Sequence, residues 1–356
     1  MSPPTVLVFR VGQLGDTVVS IAAIRAIRAA HPGARIVLLT DRQRHLRTVD
    51  AWDVLAPTGL LDDVLYLPVP WTIADLARAR ATIRALHAER MYYLTPMPRT
   101  SWQVWRDRLF FQTLCGIERI VGLRPTPAYP VRDRSRRLMR IESESNRLRA
   151  SIAGEAIGAA PGPLDHRLPL SAAHRERAAA RLAAMTGSRL IAFAPGSKMP
   201  AKMWPLDRFA AVGGQLLARY PDVRLLVLGG GPQEQQAAQT LTAAWGSRSA
   251  NLVDLGIWDT AAILERCCLY IGNDTGTMHL AASVGTPCVA IFSARDNPGR
   301  WEPAGAGHVV LRRDVACAGC VLVECVEHQN ICLTSIPVEE VVAAAAARLQ
   351  SASNAA

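Results

Sequence analysis

Apolar and polar positions follow two rhythms that take turns along this chain. Short apolar runs over 6–11, 35–40, 63–67 and 91–95 are bounded by glycine, proline or charge and read as buried strands. Between them, 17–30 and 73–89 carry apolar side chains at helical spacing, and His31-Pro32-Gly33 stops the first of these helices. After Ala159-Ala160-Pro161-Gly162-Pro163, a linker-like stretch of small residues and prolines, the alternation begins again. Strands are expected over 190–194, 223–228, 251–255, 269–271 and 288–292, with helices over 172–185, 206–219, 233–245, 260–266, 277–283 and 338–349.

Strands alternating with helices predict a parallel sheet covered on both faces, here twice. The expected fold class is therefore α/β, with two doubly wound, Rossmann-like domains over 1–163 and 164–336 and a C-terminal helix and tail over 337–356. Ligands in such sheets bind beyond the carboxyl ends of the strands, so the domains are expected to face each other across a cleft.

The most informative stretch is 269–292, which reads strand, turn, helix, turn, strand. Asn273 and Asp274 are expected as helix caps, and the free N–H groups of Thr275, Gly276 and Thr277 would favour an anion at the helix start. His279 lies one turn further in, near the same mouth. A phosphate-bearing ligand is expected there.

Composition sharpens this picture. The 356 residues carry a net charge of +10, half of them are apolar, and of the 40 lysines and arginines only Lys198 and Lys202 are lysine. A basic balance suits phosphorylated substrates, nucleic acid or anionic membranes without choosing among them. The first strand begins almost at once with no signal-peptide pattern before it, and no run reaches the roughly 18 apolar residues of a membrane span. A cytoplasmic protein is expected, with at most peripheral contact with the inner membrane. Eight cysteines in that compartment are thiols or metal ligands rather than disulfides.

Four loops after strand ends carry the candidate chemistry. In Gly12-Gln13-Leu14-Gly15-Asp16 the dinucleotide glycine pattern fails, because Leu14 stands where glycine is needed, and this argues against an oxidoreductase. Asp16 is either a helix cap or a carboxylate base. The loop around Pro195-Gly196-Ser197-Lys198 and Lys202-Met203-Trp204-Pro205 holds both lysines, and a compact ammonium suits a diphosphate; a solvated loop is the plainer reading. Glu234, after Gly229-Gly230-Gly231, either caps a helix or accepts hydrogen bonds from ribose hydroxyls. The fourth loop is the stretch from Asp274 to His279.

Together these pieces resemble the bacterial heptosyltransferases of glycosyltransferase family 9, which build the lipopolysaccharide inner core. The resemblance implies a GT-B fold, an ADP-activated heptose donor held by the C-terminal domain, inversion at the anomeric carbon with no catalytic metal or cofactor, and a lipid-linked oligosaccharide acceptor at the inner leaflet. It implies Asp16 as general base and Lys202 on the diphosphate and sugar. Ser197 falls at a phosphate-contacting position, Glu234 on the ribose, Asp274 near the donor sugar, Thr275 and Gly276 on phosphate, and His279 toward phosphate or acceptor. Lys198 is placed with the donor without a firm role. No Asp-x-Asp metal motif is present, so lysine and a helix dipole would take the ion's part. Another nucleotide-sugar, a protein acceptor, or a nucleotide-sugar-binding protein without turnover are the alternatives.

Two regions stand outside that pattern. Residues 99–149 hold 12 arginines against five acids, with Trp102, Trp105, Phe110 and Phe111 among them. That face fits lipid phosphates and a membrane surface, or is simply solvated; no nucleic-acid motif accompanies it. Cys317, Cys320, Cys325 and Cys332 cluster in sequence, the first pair at zinc-like spacing, as a metal site or as packed thiols. Cys115, Cys267, Cys268 and Cys288 sit in apolar runs and are expected in the core.

Overall fold

The computed structural model describes residues 3–43, 49–69, 72–95, 98–153 and 165–353. The chain divides into two compact units, residues 1–131 with 142–166, and residues 132–141 with 167–356. The expected linker at 159–163 lies outside the described residues.

The first unit holds β1 (Thr5–Phe9), α1 (Leu14–Ala30), β2 (Arg35–Gln43), α2 (Ala51–Leu55), β3 (Asp63–Val69), α3 (Ile73–Ala85), β4 (Arg90–Tyr93), α4 (Ser101–Arg108), β5 (Arg119–Val121) and α5 (Glu144–Ile152). Its five strands are all parallel, in the order β3-β2-β1-β4-β5. Leu7, Phe9, Met91 and Tyr93 point to one face of the sheet, where Ala79 and Ile83 of α3 and Val104 of α4 close a core. The strand period of two explains why neighbours such as Val8 serve the opposite face.

The second unit holds α6 (Ala172–Arg181), β6 (Arg189–Ala194), α7 (Leu206–Arg219), β7 (Val223–Val227), α8 (Pro232–Trp245), β8 (Ser249–Asn251), α9 (Ile257–Glu265), β9 (Leu269–Asn273), α10 (Gly276–Ser283), β10 (Cys288–Phe292), β11 (Val309–Arg312), α11 (Ile331–Thr334) and α12 (Val338–Ser353). The six strands are parallel in the order β11-β10-β9-β6-β7-β8. Both sheets therefore reverse direction beside their first strand, the doubly wound arrangement expected, and each has a switch point between two neighbouring strand ends. In the second sheet that point lies between β6 and β9, where Ala194 pairs with Gly272.

The second core centres on Trp204, which packs edge-on against Phe209 at 5.0 Å and donates its indole N–H to the Ile336 carbonyl at 3.2 Å. Gly213 leaves the space that the Trp245 ring fills, since a Cβ there would meet the ring at 2.3 Å. Val341, Ala345 and Leu349 of α12 belong to the same core. Residues 132–141 lie on this unit as a strap. Arg132 donates to the Ala318 carbonyl at 2.6 Å, Asn297 to the Met139 carbonyl at 2.8 Å, and the Ile141 N–H to the Pro298 carbonyl at 2.9 Å.

Three strands differ from the sequence expectation in ways the physics explains. The strand expected over 251–255 ends at Asn251, because the Asn251 side chain accepts the Val253 N–H at 3.0 Å and Asp254 turns into left-handed backbone with φ 65°. The edge strands β5 and β11 were not expected, being three and four residues long and only partly buried, so their apolar runs are too short to stand out. No helix among the described residues is long and apolar enough to cross a membrane.

Candidate functional site

The loops that follow β6 and β9 flank the switch point of the second sheet, and they are tied together by side chains. Asn273, fully buried, donates to the Pro195 carbonyl at 2.6 Å and accepts the Trp204 N–H at 3.1 Å. Beside it Lys202 Nζ meets Asp274 Oδ2 at 2.7 Å, with both side chains largely buried. This corrects the expectation that Asn273 and Asp274 cap the next helix: their polar atoms are taken by the lysine loop. Thr275 holds the cap position of α10, and its side chain makes no cap bond. Gly276 and Thr277 open the helix, and its first turn carries no acidic side chain to offset the dipole there. The Gly272 backbone is equally constrained, since a Cβ would stand 2.7 Å from the Ala194 carbonyl oxygen.

The loop after β7 joins from the other side. Glu234, in the first turn of α8, accepts the Gly230 N–H at 2.8 Å, while Asp254 accepts the Gly231 N–H at 2.7 Å. A Cβ on Gly196 would fall 2.2 Å from the Glu234 carboxyl carbon, so this carboxylate rests on the backbone of the lysine loop. Burial raises the Glu234 pKa, opposed by the Gly230 N–H and the Lys198 charge. Partial burial of the Lys198 ammonium lowers its pKa, with Glu234 opposing the shift. Ser197 Oγ accepts the Met199 N–H at 3.2 Å and shapes the turn between the two lysines. His279 is buried in α10 with its ring 6.2 Å from that of Trp301.

The structure thus brings Ser197, Lys198, Lys202, Glu234, Asp274, Thr275, Gly276 and His279 to strand ends of one sheet, and places Asp16 in the other unit. There Asp16 Oδ2 accepts the Gln13 N–H at 3.0 Å in a capping box, and Oδ1 lies 3.6 Å from Arg10 Nη2. Asp16 caps the helix and still keeps 23% of its side chain accessible. Arg10 is completely buried at the end of β1, where it also donates to the Leu94 carbonyl at 2.8 Å and to the Asp16 carbonyl. Burial lowers its pKa, with Asp16 and Glu144 acting against that shift.

Sequence reasoning missed Arg10 and the whole turn after β10. In that turn Arg295 donates to the Val321 and Leu322 carbonyls, both at 2.7 Å, and feels the Asp274 charge. Asp296 accepts from the Trp301 indole N–H at 3.1 Å and faces Arg300 at 3.6 Å; burial raises its pKa. The available signal was a dense polar run, from Ser293 to Arg300, directly after an all-apolar strand. All eight cysteines are free thiols, Cys115, Cys267 and Cys288 being buried and Cys268 partly so. Among the described residues no group of three or more His, Cys, Asp or Glu is placed to hold a metal ion; Cys317, Cys320 and Cys325 are partly exposed and Cys332 is buried.

Two parallel α/β units, each with a switch point beside its first strand, make up the fold. The chain belongs to glycosyltransferase family 9 (heptosyltransferase), whose model matches residues 143–331, more than half of the 356. It is 34% identical over 109 residues to lipopolysaccharide heptosyltransferase 2 of Salmonella typhimurium. That match covers 29% of this chain and 30% of the relative's length. The fold is similar to that of the E. coli ADP-heptose lipopolysaccharide heptosyltransferase II, with TM-score 0.71, 19% identity, and 98% and 99% of the two chains covered. A glycosyl transferase family 9 protein from Veillonella parvula is similar too, with TM-score 0.72, 20% identity, and 99% and 98% covered.

Proposed function

We propose that the protein is an inverting, metal-independent glycosyltransferase that moves heptose from an ADP-activated donor to a lipid-linked lipopolysaccharide core acceptor at the inner leaflet. The observation that carries this reading is the Lys202 and Asp274 pair at 2.7 Å, at the switch point of the second sheet and beside the open end of α10. Family membership and the heptose named for the similar Salmonella and E. coli proteins support the donor class.

In the proposed reaction, an acceptor hydroxyl attacks the anomeric carbon on the face opposite the diphosphate. The carbon–oxygen bond to phosphate breaks, its electron pair leaves with ADP, and Asp16 takes the hydroxyl proton. Lys202 and the N–H groups at the start of α10, from Gly276 onward, meet the charge that develops on the leaving group; Ser197 and Thr275 add hydroxyl contacts. Glu234 holds the ribose, and its partial burial strengthens that hydrogen bond. Asp274, besides fixing Lys202, faces the donor sugar. Lys198 adds a second cation and His279 lines the phosphate side. The unit bearing Asp16 would take the acceptor and the unit bearing Lys202 the donor.

Transfer from ADP-heptose to a deacylated core acceptor, run in excess chelator, tests the reading. Activity is expected to survive chelation, and Asp16→Asn is expected to bind ADP as the parent does while losing transfer. Loss of activity on chelation, or full transfer by Asp16→Asn, would overturn it.

A further inference from the structure

We infer that the outward faces of α3 and α4 form a docking surface for an anionic lipid bilayer. This goes beyond the donor chemistry and does not depend on it. Helix α4 runs into a π-helical turn over Leu109–Leu114, and its inward side chains, Val104, Asp107 and Phe111, are buried. The opposite stripe carries Trp102, Trp105 and Leu109 at helical spacing, exposed to 63%, 60% and 41%. Helix α3 covers the same sheet face through Ala79 and Ile83, and turns Ile73 outward at 87% exposure. Arg80 joins the two by donating to the Leu114 carbonyl at 2.9 Å.

Charge on these helices is sorted by depth. Within α3 and within α4 and its π-helical turn the only acids are Asp75 and Asp107, and both are buried; Glu89 and Glu118, beyond the helix ends, are exposed. Asp75 accepts from the Thr72 N–H at 3.0 Å and from Arg78 at 2.6 Å. Asp107 accepts from the Tyr93 hydroxyl at 2.5 Å and from Arg106 at 2.6 Å. Both carboxylates are therefore withdrawn from the surface, while Arg78, Arg80, Arg84, Arg106 and Arg108 stay exposed. The Arg106 guanidinium lies 5.6 Å from the centre of the Trp102 ring, which puts cation and indole at one depth.

A bilayer surface offers what this face lacks. Indole rings settle at the headgroup level, leucine and isoleucine reach the acyl boundary, and anionic headgroups draw the guanidinium groups. A protein partner would need carboxylates matched to five scattered arginines, whereas an anionic leaflet supplies negative charge at every point.

Flotation of the full chain with vesicles tests this. The parent is expected to float with vesicles of equal phosphatidylglycerol and phosphatidylcholine at low salt, weakly with phosphatidylcholine alone, and less as salt rises. Trp102→Ser with Trp105→Ser, and separately Arg84→Gln with Arg108→Gln, whose guanidinium groups face no buried carboxylate among the described residues, are each expected to lower partitioning about tenfold. Brominated acyl chains should quench the parent's tryptophan emission more than that of the tryptophan variant. The melting temperature and its rise with ADP should be unchanged in both variants, which separates docking from folding and from donor binding. Absence of flotation by the parent at low salt, or equal flotation by the variants, would overturn the proposal. So would sedimentation showing a parent dimer that the variants dissociate, because the face would then meet a second copy of the chain.

Discussion

Lys202 and Asp274 neutralise each other in a place where neither has much water, so removing one charge strands the other. Lys202→Met is expected to destabilise the second unit by about 3 kcal/mol, read by urea unfolding, and to lower transfer by about 10²-fold or more. Adding Asp274→Asn should restore much of the stability and none of the transfer, which separates the lysine's structural part from its chemical one. Gly196→Ala would drive a methyl into the Glu234 carboxyl group, and ADP affinity, measured by titration calorimetry, is expected to fall about tenfold with the fold retained. At this scale the sequence was legible where a residue type was scarce. Two lysines among 40 cationic side chains marked their own loop, and Asp16, Glu234 and Asp274 stood beside glycines after strands. Arg10, Asn273 and Arg295 were illegible because their significance lies in partners far along the chain: Arg10 reaches the Leu94 carbonyl, Asn273 the Pro195 carbonyl, and Arg295 two carbonyls of a later loop.

Elements with an unbroken pattern were read almost to the residue, as β10 and α7 show, because an uninterrupted apolar run or a clean amphipathic period admits one interpretation. Short elements such as α2, α5 and β11 depend on tertiary packing and leave little trace in periodicity. The connection from β10 to β11 carries a pH-sensitive joint. His308 accepts the Cys288 N–H on Nδ1 at 3.2 Å and donates from Nε2 to the Ala304 carbonyl at 3.0 Å, an arrangement that needs the neutral ring. Burial depresses its pKa below the ordinary 6.5. The stability it contributes is therefore present above that value and is lost as pH falls through the depressed folded value. Melting curves from pH 7.5 to 5.5 should show the second unit weakening, and His308→Gln should flatten part of that slope. His31 and His166 are depressed by burial as well, which gives the first unit a slope of the same sign.

Taken whole, the chain concentrates its proposed donor groups in one unit, so a ligand should register in only one part of an unfolding profile. Calorimetry is expected to resolve two transitions, with ADP at a hundredfold its Kd stabilising the unit that holds Lys202 by about 2.7 kcal/mol and leaving the other in place. A single transition that moves as a block would show that the two units melt as one. The family match, too, falls mainly on that unit, running from 143 to 331.

The strap over 132–141 bears on how this protein can be taken apart. Because the polypeptide passes from the first unit to the second at 131, returns at 142 and leaves again after 166, no single cut yields two complete halves. A chain begun at Arg167 would lack the ten residues whose carbonyl oxygen at Ile141 and guanidinium at Arg132 sit where Gly299 and Gly319 have no side chain. Those bare glycines are the imprint of a guest segment borrowed from upstream, and moving this unit into another chain would have to carry that guest along with its host.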